Sequence, residues 1–389
     1  MTMRPALAGV AAVALAGLAC TETTELVSAS GECVAPGPIV HLGGIDDASC
    51  APALASRLSR YAVCTCQDLV VTGGLSVSSL PGSSLPGTVP APPGAVGMNG
   101  YALIWGPTNL SGALVVAGAE GVRIAGGSIA GNIHSGGGVA TLAPVWVSGD
   151  VFSNGNLNGP YGIMGALHLP ASATVDPAVG VSTIAREPVT VASPCPCGGP
   201  PSFDIAAAVA ARGAKNANAS LAFSSAFLDE IDSTQTFNWP CGEFYVAGLR
   251  TGPQAALEFR IHGQVGIFVD GDVRLGNNLN VTFDDDASSL DLVVAGSFFT
   301  TGRVFGSPMQ PSRMRLWVGS TTVSLPDQIQ FGAVVNAPLA VFSAGVGVTI
   351  NGSLFVQRIS AASDVNLLYD PGVAANGLNC GISAPPPVE

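Results

Sequence analysis

The most constraining feature of the chain is a stretch, residues 265–356, in which short runs keep every second residue apolar. A repeat of two residues is typical of strands that bury one face and expose the other. Gly, Asn and Asp separate the runs, as expected of tight turns. The stretch therefore predicts an all-β architecture. The apolar positions are Val265, Ile267, Val269, Val273, Leu275, Leu279, Val281, Phe283, Leu290, Leu292, Val294, Met314, Leu316, Val318, Val323, Leu325, Val346, Val348, Ile350, Leu354 and Val356.

Glycines that follow these strands favour one β architecture over another. Gly271, Gly296, Gly319 and Gly352 are 25, 23 and 33 residues apart, and two of these three spacings fit one coil of a solenoid. A β-sandwich also has short alternating strands, with turns every 8–12 residues or so. The spacing and the continuous apolar rows favour a right-handed parallel β-solenoid (β-helix).

A weaker copy of the pattern precedes this stretch. Residues 147–151 (VSGDV) echo residues 269–273 (VDGDV), and such self-similarity is typical of repeat architectures. We therefore expect a weak solenoid half and a main half, a small helical insert between them, and a short cysteine-bearing unit near the N-terminus. The expected divisions are a signal peptide (1–19), a tether (20–32), a cysteine-bearing capping unit (33–77), a Ser/Pro/Gly linker (78–97), the weak half (98–191), the insert (192–240), the main half (241–379) and a tail (380–389).

Charge excludes one class of partner. The net charge is −12, and only 10% of the residues are charged. Binding to nucleic acid requires clustered Lys and Arg that displace counterions, and the chain has no such cluster. We therefore expect no nucleic-acid partner.

The N-terminus has the pattern of an export signal. Arg4 precedes an apolar run, residues 5–19, which is too short to span a bilayer. The run AGLAC at residues 16–20 resembles a bacterial lipobox in which Cys20 would be lipidated, although Gly17 stands where Leu is usual. Ordinary signal-peptide cleavage is the alternative. The expected location is the outer membrane or cell surface with a lipid anchor, or else secretion.

The cysteines favour disulfides in an oxidising compartment. If Cys20 carries lipid, eight remain, which is an even number. Two C-x-C pairs are present, and we expect each pair to fasten its segment to two different places, with Cys241 as a partner for Cys195 or Cys197. The four histidines (His41, His134, His168 and His262) are scattered, so no zinc site or other cofactor is expected. The disulfide candidates are Cys33, Cys50, Cys64, Cys66, Cys195, Cys197, Cys241 and Cys380.

The insert interrupts the period-two pattern with a helix. Ser202 is expected to cap a helix from Phe203 to about Asn216, which is mostly apolar. The helix is expected to lie along one side or end of the strands. Together with the cysteine-bearing unit, it is a natural cap for a solenoid, whose ends must be covered.

Aspartates are the main candidates for chemistry. Asp270 and Asp272 flank a turn glycine, and Asp284, Asp285 and Asp286 follow one strand later. Such residues are typical of turns. The weaker alternatives are a Ca²⁺ site at Asp284–Asp286, and a carbohydrate-active β-helix enzyme that uses all five carboxylates. A lyase would need a base such as Lys215, Arg260 or Arg274, and none of them is placed for that role.

The main half resembles a family of secreted bacterial β-solenoid domains of unknown function, whose relatives occur in pilus-associated proteins and in anchored surface proteins of Gram-negative bacteria. The segment from Phe244 to Asp370 carries the resemblance, and the CPC entry at residues 195–197 with its helix is similar to an insert in some members. The family has no established catalytic residues. The matching segments are residues 240–245 (PCGEFY), 268–273 (FVDGDV), 316–319 (LWVG), 332–338 (GAVVNAP), 352–356 (GSLFV) and 368–370 (LYD).

The resemblance implies an exported, surface-facing module that is not an enzyme. We therefore expect a structural or adhesive cell-surface protein that meets glycans, matrix or other surface proteins. A polysaccharide hydrolase or lyase is the alternative.

Overall fold

The computed structural model describes residues 22–25, 60–81, 94–197, 204–221 and 223–373. These residues form a parallel β-solenoid of about 13 coils. The predicted parallel β-solenoid is thereby confirmed. Neighbouring coils pair in parallel, which excludes the β-sandwich, because a sandwich is built from antiparallel sheets.

The strands are short because each coil turns at three corners. In chain order they are β1 (Glu22–Glu25), β2 (Val63–Thr65), β3 (Leu69–Val71), β4 (Leu75–Ser79), β5 (Val96–Met98), β6 (Ala102–Leu110), β7 (Leu114–Val116), β8 (Val122–Ile129), β9 (Ile133–Ser135), β10 (Val139–Thr141), β11 (Val145–Val147), β12 (Val151–Ser153), β13 (Leu157–Asn158), β14 (Tyr161–Leu169), β15 (Gly180–Arg186), β16 (Gln235–Trp239), β17 (Gly242–Val246), β18 (Leu249–Thr251), β19 (Leu257–Ile261), β20 (Gln264–Val269), β21 (Val273–Leu275), β22 (Leu279–Phe283), β23 (Ser289–Val294), β24 (Phe298–Thr300), β25 (Val304–Gly306), β26 (Met314–Val318), β27 (Thr322–Leu325), β28 (Gln330–Ala344), β29 (Val348–Ala361) and β30 (Val365–Tyr369).

The coils stack into three faces around one core. Face A contains β16, β19, β22, β25, β30, β4, β11 and parts of longer strands; face B contains β17, β20, β23, β26, β2, β5, β7, β9 and β12; face C contains β18, β21, β24, β27, β3, β10 and β13. The inward side chains of all three faces form a single hydrophobic cluster that includes both halves of the chain. Val346 is the exception among the alternating residues, since it lies in a turn and is 52% exposed.

Coil length explains the irregular glycine spacing. On face B the register pairs Val293 with Trp317, 24 residues on, but Trp317 with Asn336 and Asn336 with Phe355, both 19 residues on. The coils therefore shorten towards the end of the main half. Gly352 lies at a different corner, between faces A and B, where its φ of 128° suits glycine. Its distance from Gly319 does not measure one coil.

The order of coils in the stack differs from their order in the chain. The last coil of the main half, in β29 and β30, pairs with β2, β3 and β4, which precede the expected weak half in the chain and stack with it. These strands pair on their other side with β5 and β6. The two halves form one continuous stack, and we call the contact between them the seam.

The seam corrects two expected divisions of the chain. Residues 60–77 were expected to belong to a capping unit, but their strands lie in the middle of the stack. The expected linker, residues 78–97, begins in β4 and ends in β5, while residues 82–93 lie outside the described part. Strand character was visible here in the alternation of residues 69–77, but the pairing partner, about 290 residues away, was not.

The helix α1 (Ile205–Ala214) is two residues shorter at each end than expected. Asp204, not Ser202, is its N-cap, because the Asp204 side chain accepts a hydrogen bond from the backbone N–H of Ala207. The helix packs on β17, β20 and β23, so it covers the side of face B and does not close an end of the stack.

The end of the stack beside residues 217–239, here named the insert end, is closed on all three faces. On face A, β1 pairs with β16, so part of the expected tether is a strand. On face B, the Asn218 side chain exchanges two hydrogen bonds with the backbone of Tyr245, at 2.6 and 3.0 Å. On face C, the backbone N–H of Arg250 donates to the Leu228 carbonyl. These contacts satisfy edge groups that would otherwise recruit other strands.

At the opposite end, β15 is the last strand. Among the described strands it pairs only with β14, and most of its side chains are exposed. We call this the far end.

The close approach of backbones at the seam generates a prediction. A Cβ on Gly73 would lie 2.4 Å from the backbone N of Asp364, whereas the nearest atom to a Cβ on Gly180 would be 3.6 Å away. We expect Gly73→Ala to lower the free energy of unfolding by about 1–3 kcal/mol, because overpacking forces the seam apart. Gly180→Ala is the matched control, with a change within about 0.5 kcal/mol. Urea unfolding of both variants tests this, and equal stabilities would contradict the seam.

Candidate ligand-binding surface

Part of face B is covered by the segment that connects the two halves. This return segment starts at Glu187, whose backbone N–H donates to the Leu169 carbonyl at the far end. It passes the seam at Cys195 and continues into α1 towards the insert end. Val189 is buried, and Val191 packs against a cluster that includes Phe355. Any ligand surface is therefore sought on faces A and C.

Two disulfides fasten the return segment at the seam. Cys64 bonds to Cys195 and Cys66 bonds to Cys197, with Cα atoms 5.7 and 5.3 Å apart. Both bridges join the same two segments, so the expectation that each C-x-C pair reaches two different places is wrong. The reason is register, since alternate residues of two adjacent extended segments can face each other pairwise.

Cys241 is not the partner of Cys195 or Cys197, and it is itself disulfide-bonded. The Asn99 side chain supports the bridges, because it exchanges two hydrogen bonds with the backbone of Cys195 at 2.9 and 3.1 Å. Three further disulfide candidates, Cys33, Cys50 and Cys380, lie outside the described residues, as does the lipidation candidate Cys20.

The run Asp284–Asp286 sends its carboxylates to separate partners. Asp284 pairs with His262, Asp286 pairs with Arg313, and Asp285 accepts from the backbone N–H groups of Ala287 and Ser288. Hydrogen bonds from the Ser288 side chain and backbone hold the pKa of Asp285 below its usual value. This is turn chemistry. Within the described ranges, no group of three or more His, Cys, Asp or Glu side chains could hold a metal ion.

Asp270 and Asp272 are engaged in the same way. Asp272 accepts from the backbone N–H of Ser297 at 2.9 Å and from Arg274 at 2.8 Å, and these contacts lower its pKa. Asp270 forms a hydrogen bond with the Tyr245 hydroxyl, and burial together with this contact raises the pKa of Tyr245. Of the other basic candidates, Arg260 pairs with Glu258, and Lys215 follows directly after α1.

A buried charge network on face B was missed by sequence reasoning. Arg315 forms a bidentate pair with Asp291 at 2.6 Å for each contact, and the Trp317 indole N–H donates to Asp291 at 3.0 Å. Asp291 is 1% exposed. The alternation of β23 and β26 places these residues on the outward face, where charge is normally solvated. The network is structural, because its groups satisfy one another.

Face A carries a row of uncharged polar side chains from successive coils. The register aligns them one per coil, about 4.8 Å apart along the stack. We call this row the polar strip. From the insert end towards the far end it consists of Gln330, Thr349, Asn366, Ser76, Asn109 and Ser128.

The polar strip is available to a ligand. Gln330, Asn109 and Ser128 are exposed, and the other three are half-buried. Ser128 donates to Asn109 at 3.1 Å, whereas the side chains of Thr349 and Asn366 bond to no described residue. Asn and Gln amides and Ser and Thr hydroxyls both donate and accept, as do the hydroxyls of a sugar.

A groove of about 310 Å³ runs beside the strip at the seam. Its polar lining comes from both halves: Ser76 and Asn109 from the first, and Thr349, Asp364 and Asn366 from the second. Asp364 is tied to the seam, since it accepts from the backbone N–H of Gly74 at 2.5 Å. The groove therefore exists only when the halves are docked.

Trp146 continues the strip towards the far end. It pairs with Ser128 on one side and Gly162 on the other, and it is 65% exposed. A Cβ on Gly162 would lie 2.3 Å from the Trp146 ring, so the indole occupies the space that a side chain at position 162 would take. An exposed aromatic platform beside amides and hydroxyls is a common arrangement for binding a ring with one apolar face.

Comparison with known proteins places part of this chain among uncharacterised sequences. Residues 199–376 match the model of a domain of unknown function, DUF7305. No curated protein and no solved structure matches the chain. The match covers the main half and its insert, in agreement with the expected resemblance to an uncharacterised domain family. The described part of the chain has no helix that is long and apolar enough to cross a membrane.

The paired disulfides generate a prediction. Each bridge spans 131 residues and closes the same loop, so once one bridge is present the other closes only the small ring formed by residues 64–66 and 195–197. We expect Cys64→Ala/Cys195→Ala and Cys66→Ala/Cys197→Ala each to cost much less than the quadruple variant. Chain entropy predicts a loss of about 4–5 kcal/mol when both bridges are absent. Chemical unfolding of the three variants measures the coupling, and strictly additive losses would contradict the shared loop.

Proposed function

We propose that this protein is a non-enzymatic adhesive rod of the cell surface, which binds glycans along face A. The polar strip is the observation that carries the proposal. Its amides and hydroxyls are uncharged, come from consecutive coils and lie beside a groove. A polymer with hydroxyls on successive rings is the ligand class that such a repeating surface suits.

Three further features support a role as a rod. The halves share one hydrophobic core, so the stack is continuous across the range described. The return segment is cross-linked to it twice, as suits an oxidising compartment. The five aspartates that an enzyme would use are engaged with backbone N–H groups, arginines, His262 or the Tyr245 hydroxyl instead. The proposal therefore includes no hydrolase or lyase activity.

The binding test compares two faces of the stack. We expect the triple variant Asn109→Ala/Thr349→Ala/Asn366→Ala to bind insoluble polysaccharides and glycan arrays at least about tenfold more weakly than the unchanged protein, because three polar contacts are lost. The control variant, Ser343→Ala/Ser360→Ala, removes hydroxyls from the outward row of face C, where these two residues pair.

Retention of binding in the triple variant, or its loss in both variants, would contradict the assignment to face A. Release of reducing ends from the bound polysaccharide would contradict the non-enzymatic part of the proposal.

We further propose a lipid anchor at Cys20, which would also orient the rod. Cys20 precedes β1 by two residues, and β1 pairs with β16 at the insert end. An acylated Cys20 would hold that end at the outer membrane and direct the far end outward. The residues around Cys20 lie outside the described part of the chain, so the lipobox resemblance carries this step.

Metabolic labelling with radioactive palmitate tests the anchor. We expect a labelled band in the membrane fraction that disappears in Cys20→Ser, because the proposed lipid is attached through the Cys20 thiol. Cys33→Ser is the control and should keep the label. An unlabelled protein that stays soluble after export would rule out the anchor and would leave the glycan proposal intact.

A further inference from the structure

Exposed apolar side chains concentrate towards the far end of the stack. Nine large hydrophobic side chains of the described residues are exposed, and five of them lie in the coils of residues 102–186. They include two of the four tryptophans of the chain. Exposing an indole has no benefit for folding, so an exposed pair points to a binding surface. The five residues are Trp105, Leu142, Trp146, Met164 and Ile184.

Two of these side chains form the walls of a slot at the corner between faces C and A. Ile104, Ile124 and Thr141 are aligned in three successive coils, so the residues that follow them, Trp105, Ala125 and Leu142, occupy the same corner. Trp105 is 55% exposed and Leu142 is 75% exposed.

Because Ala125 is small, a gap opens between the two larger side chains, whose coils are about 9–10 Å apart. The resulting slot has a volume of about 260 Å³, and Leu103, Arg123 and Ala140 complete its lining.

Arg123 supplies the only charge among the residues that line the slot. It is exposed and forms no ion pair with any described residue. Six other arginines in the described ranges are paired with carboxylates: Arg212, Arg250, Arg260, Arg274, Arg313 and Arg315. In a chain with a net charge of −12, a guanidinium left without an acid beside an aromatic wall is available for an anionic ligand.

These features select one chemical class of ligand. An indole face packs against the C–H face of a pyranose ring, and a leucine on the opposite wall excludes water. A guanidinium binds a carboxylate through two parallel hydrogen bonds. We propose that the slot binds a hexuronic acid residue, with the ring between Trp105 and Leu142 and the carboxylate on Arg123.

The inference rests on the proposed glycan binding and specifies the sugar. Trp105 lies four residues before Asn109 of the polar strip, so the two sites can bind neighbouring rings of one polymer. Trp146 lies four residues after Leu142, so the Cα atoms of these two residues are at most about 14 Å apart. Trp146 is therefore also close enough to contact a polymer bound in the slot. The polar strip would then bind the hydroxyls of neutral sugar rings, and the slot would bind the carboxylate.

Matched ligands test the charge. The full disulfide-bonded chain is titrated by calorimetry with oligomers of galacturonic acid and with the same oligomers after their carboxyl groups are reduced to alcohols. We expect the acidic oligomer to bind at least about tenfold more tightly, because a charge-assisted bidentate contact is lost on reduction. We also expect added salt to weaken binding of the acidic oligomer alone.

Variants locate the effect. Arg123→Gln should remove the preference for the acid and leave affinity for the reduced oligomer unchanged, whereas Trp105→Ala should weaken both. Arg274→Gln is the control, since it removes another exposed arginine of face C that is already paired with Asp272. It should change neither affinity.

The outcomes separate the two proposals. Equal affinity for acidic and reduced oligomers, with binding that depends on the polar strip, would overturn the slot and keep glycan binding. A preference for the acid that survives Arg123→Gln would also overturn the slot. Failure of the unchanged protein to bind any glycan, in this test and on arrays, would overturn both.

Discussion

The structure depends on the parallel backbone ladder across the seam. There β29 and β30 donate to and accept from β2, β3 and β4, and this joins a strand of residue 75 to one of residue 365. Each half alone would expose an unpaired edge three faces wide, with its inward apolar residues open to water. The ladder turns two incomplete stacks into one core. It also creates the groove on face A, since that groove takes its polar lining from both sides of the junction.

The path of the return segment determines which faces of the stack remain exposed. The chain must return from the far end to the insert end before it can build the second half, and it uses face B as its path. The return segment and α1 cover part of the outward side of face B, and two bridges fix the segment beside the ladder. The outward-facing side chains of faces A and C are not covered by this segment. The insert end is closed, whereas the far end leaves β15 exposed. The two exposed tryptophans, Trp105 and Trp146, lie between the seam and the far end.

Sequence reasoning captured what depends on local pattern. Alternation identified the inward residues of β20 to β29, and turn residues indicated short strands in a solenoid. The helix was placed within two residues because its apolar composition differs from that of its surroundings. The order of coils could not be obtained in this way, because alternation states which face a residue takes and not which coil lies above it. The same limit hid the polar strip, since Ser76 and Asn366 become neighbours only through the seam. Likewise, the spacing of the C-x-C pairs is compatible with bonds to two different segments and with bonds between the two pairs. Only the register of the return segment against β2 distinguishes these alternatives.

The seam has a consequence for how the protein is made. Gly74 and Asp364, which touch across it, are 290 residues apart in sequence. The coil that receives the second half is synthesised early, and the coil that docks on it is synthesised last. Folding therefore includes a ring-closing step of very high contact order, which is expected to be slow. Until that step is complete, β2, β3 and β4 expose unpaired backbone groups that can pair with other strands. An exported chain would have to cross the cell envelope and then dock β29 and β30 on its own β2, β3 and β4. If docking is too slow, these strands can pair with those of another copy instead. The bridges at Cys195 and Cys197 can form before the second half is synthesised. They can therefore stabilise the conformation of β2 before β29 pairs with it.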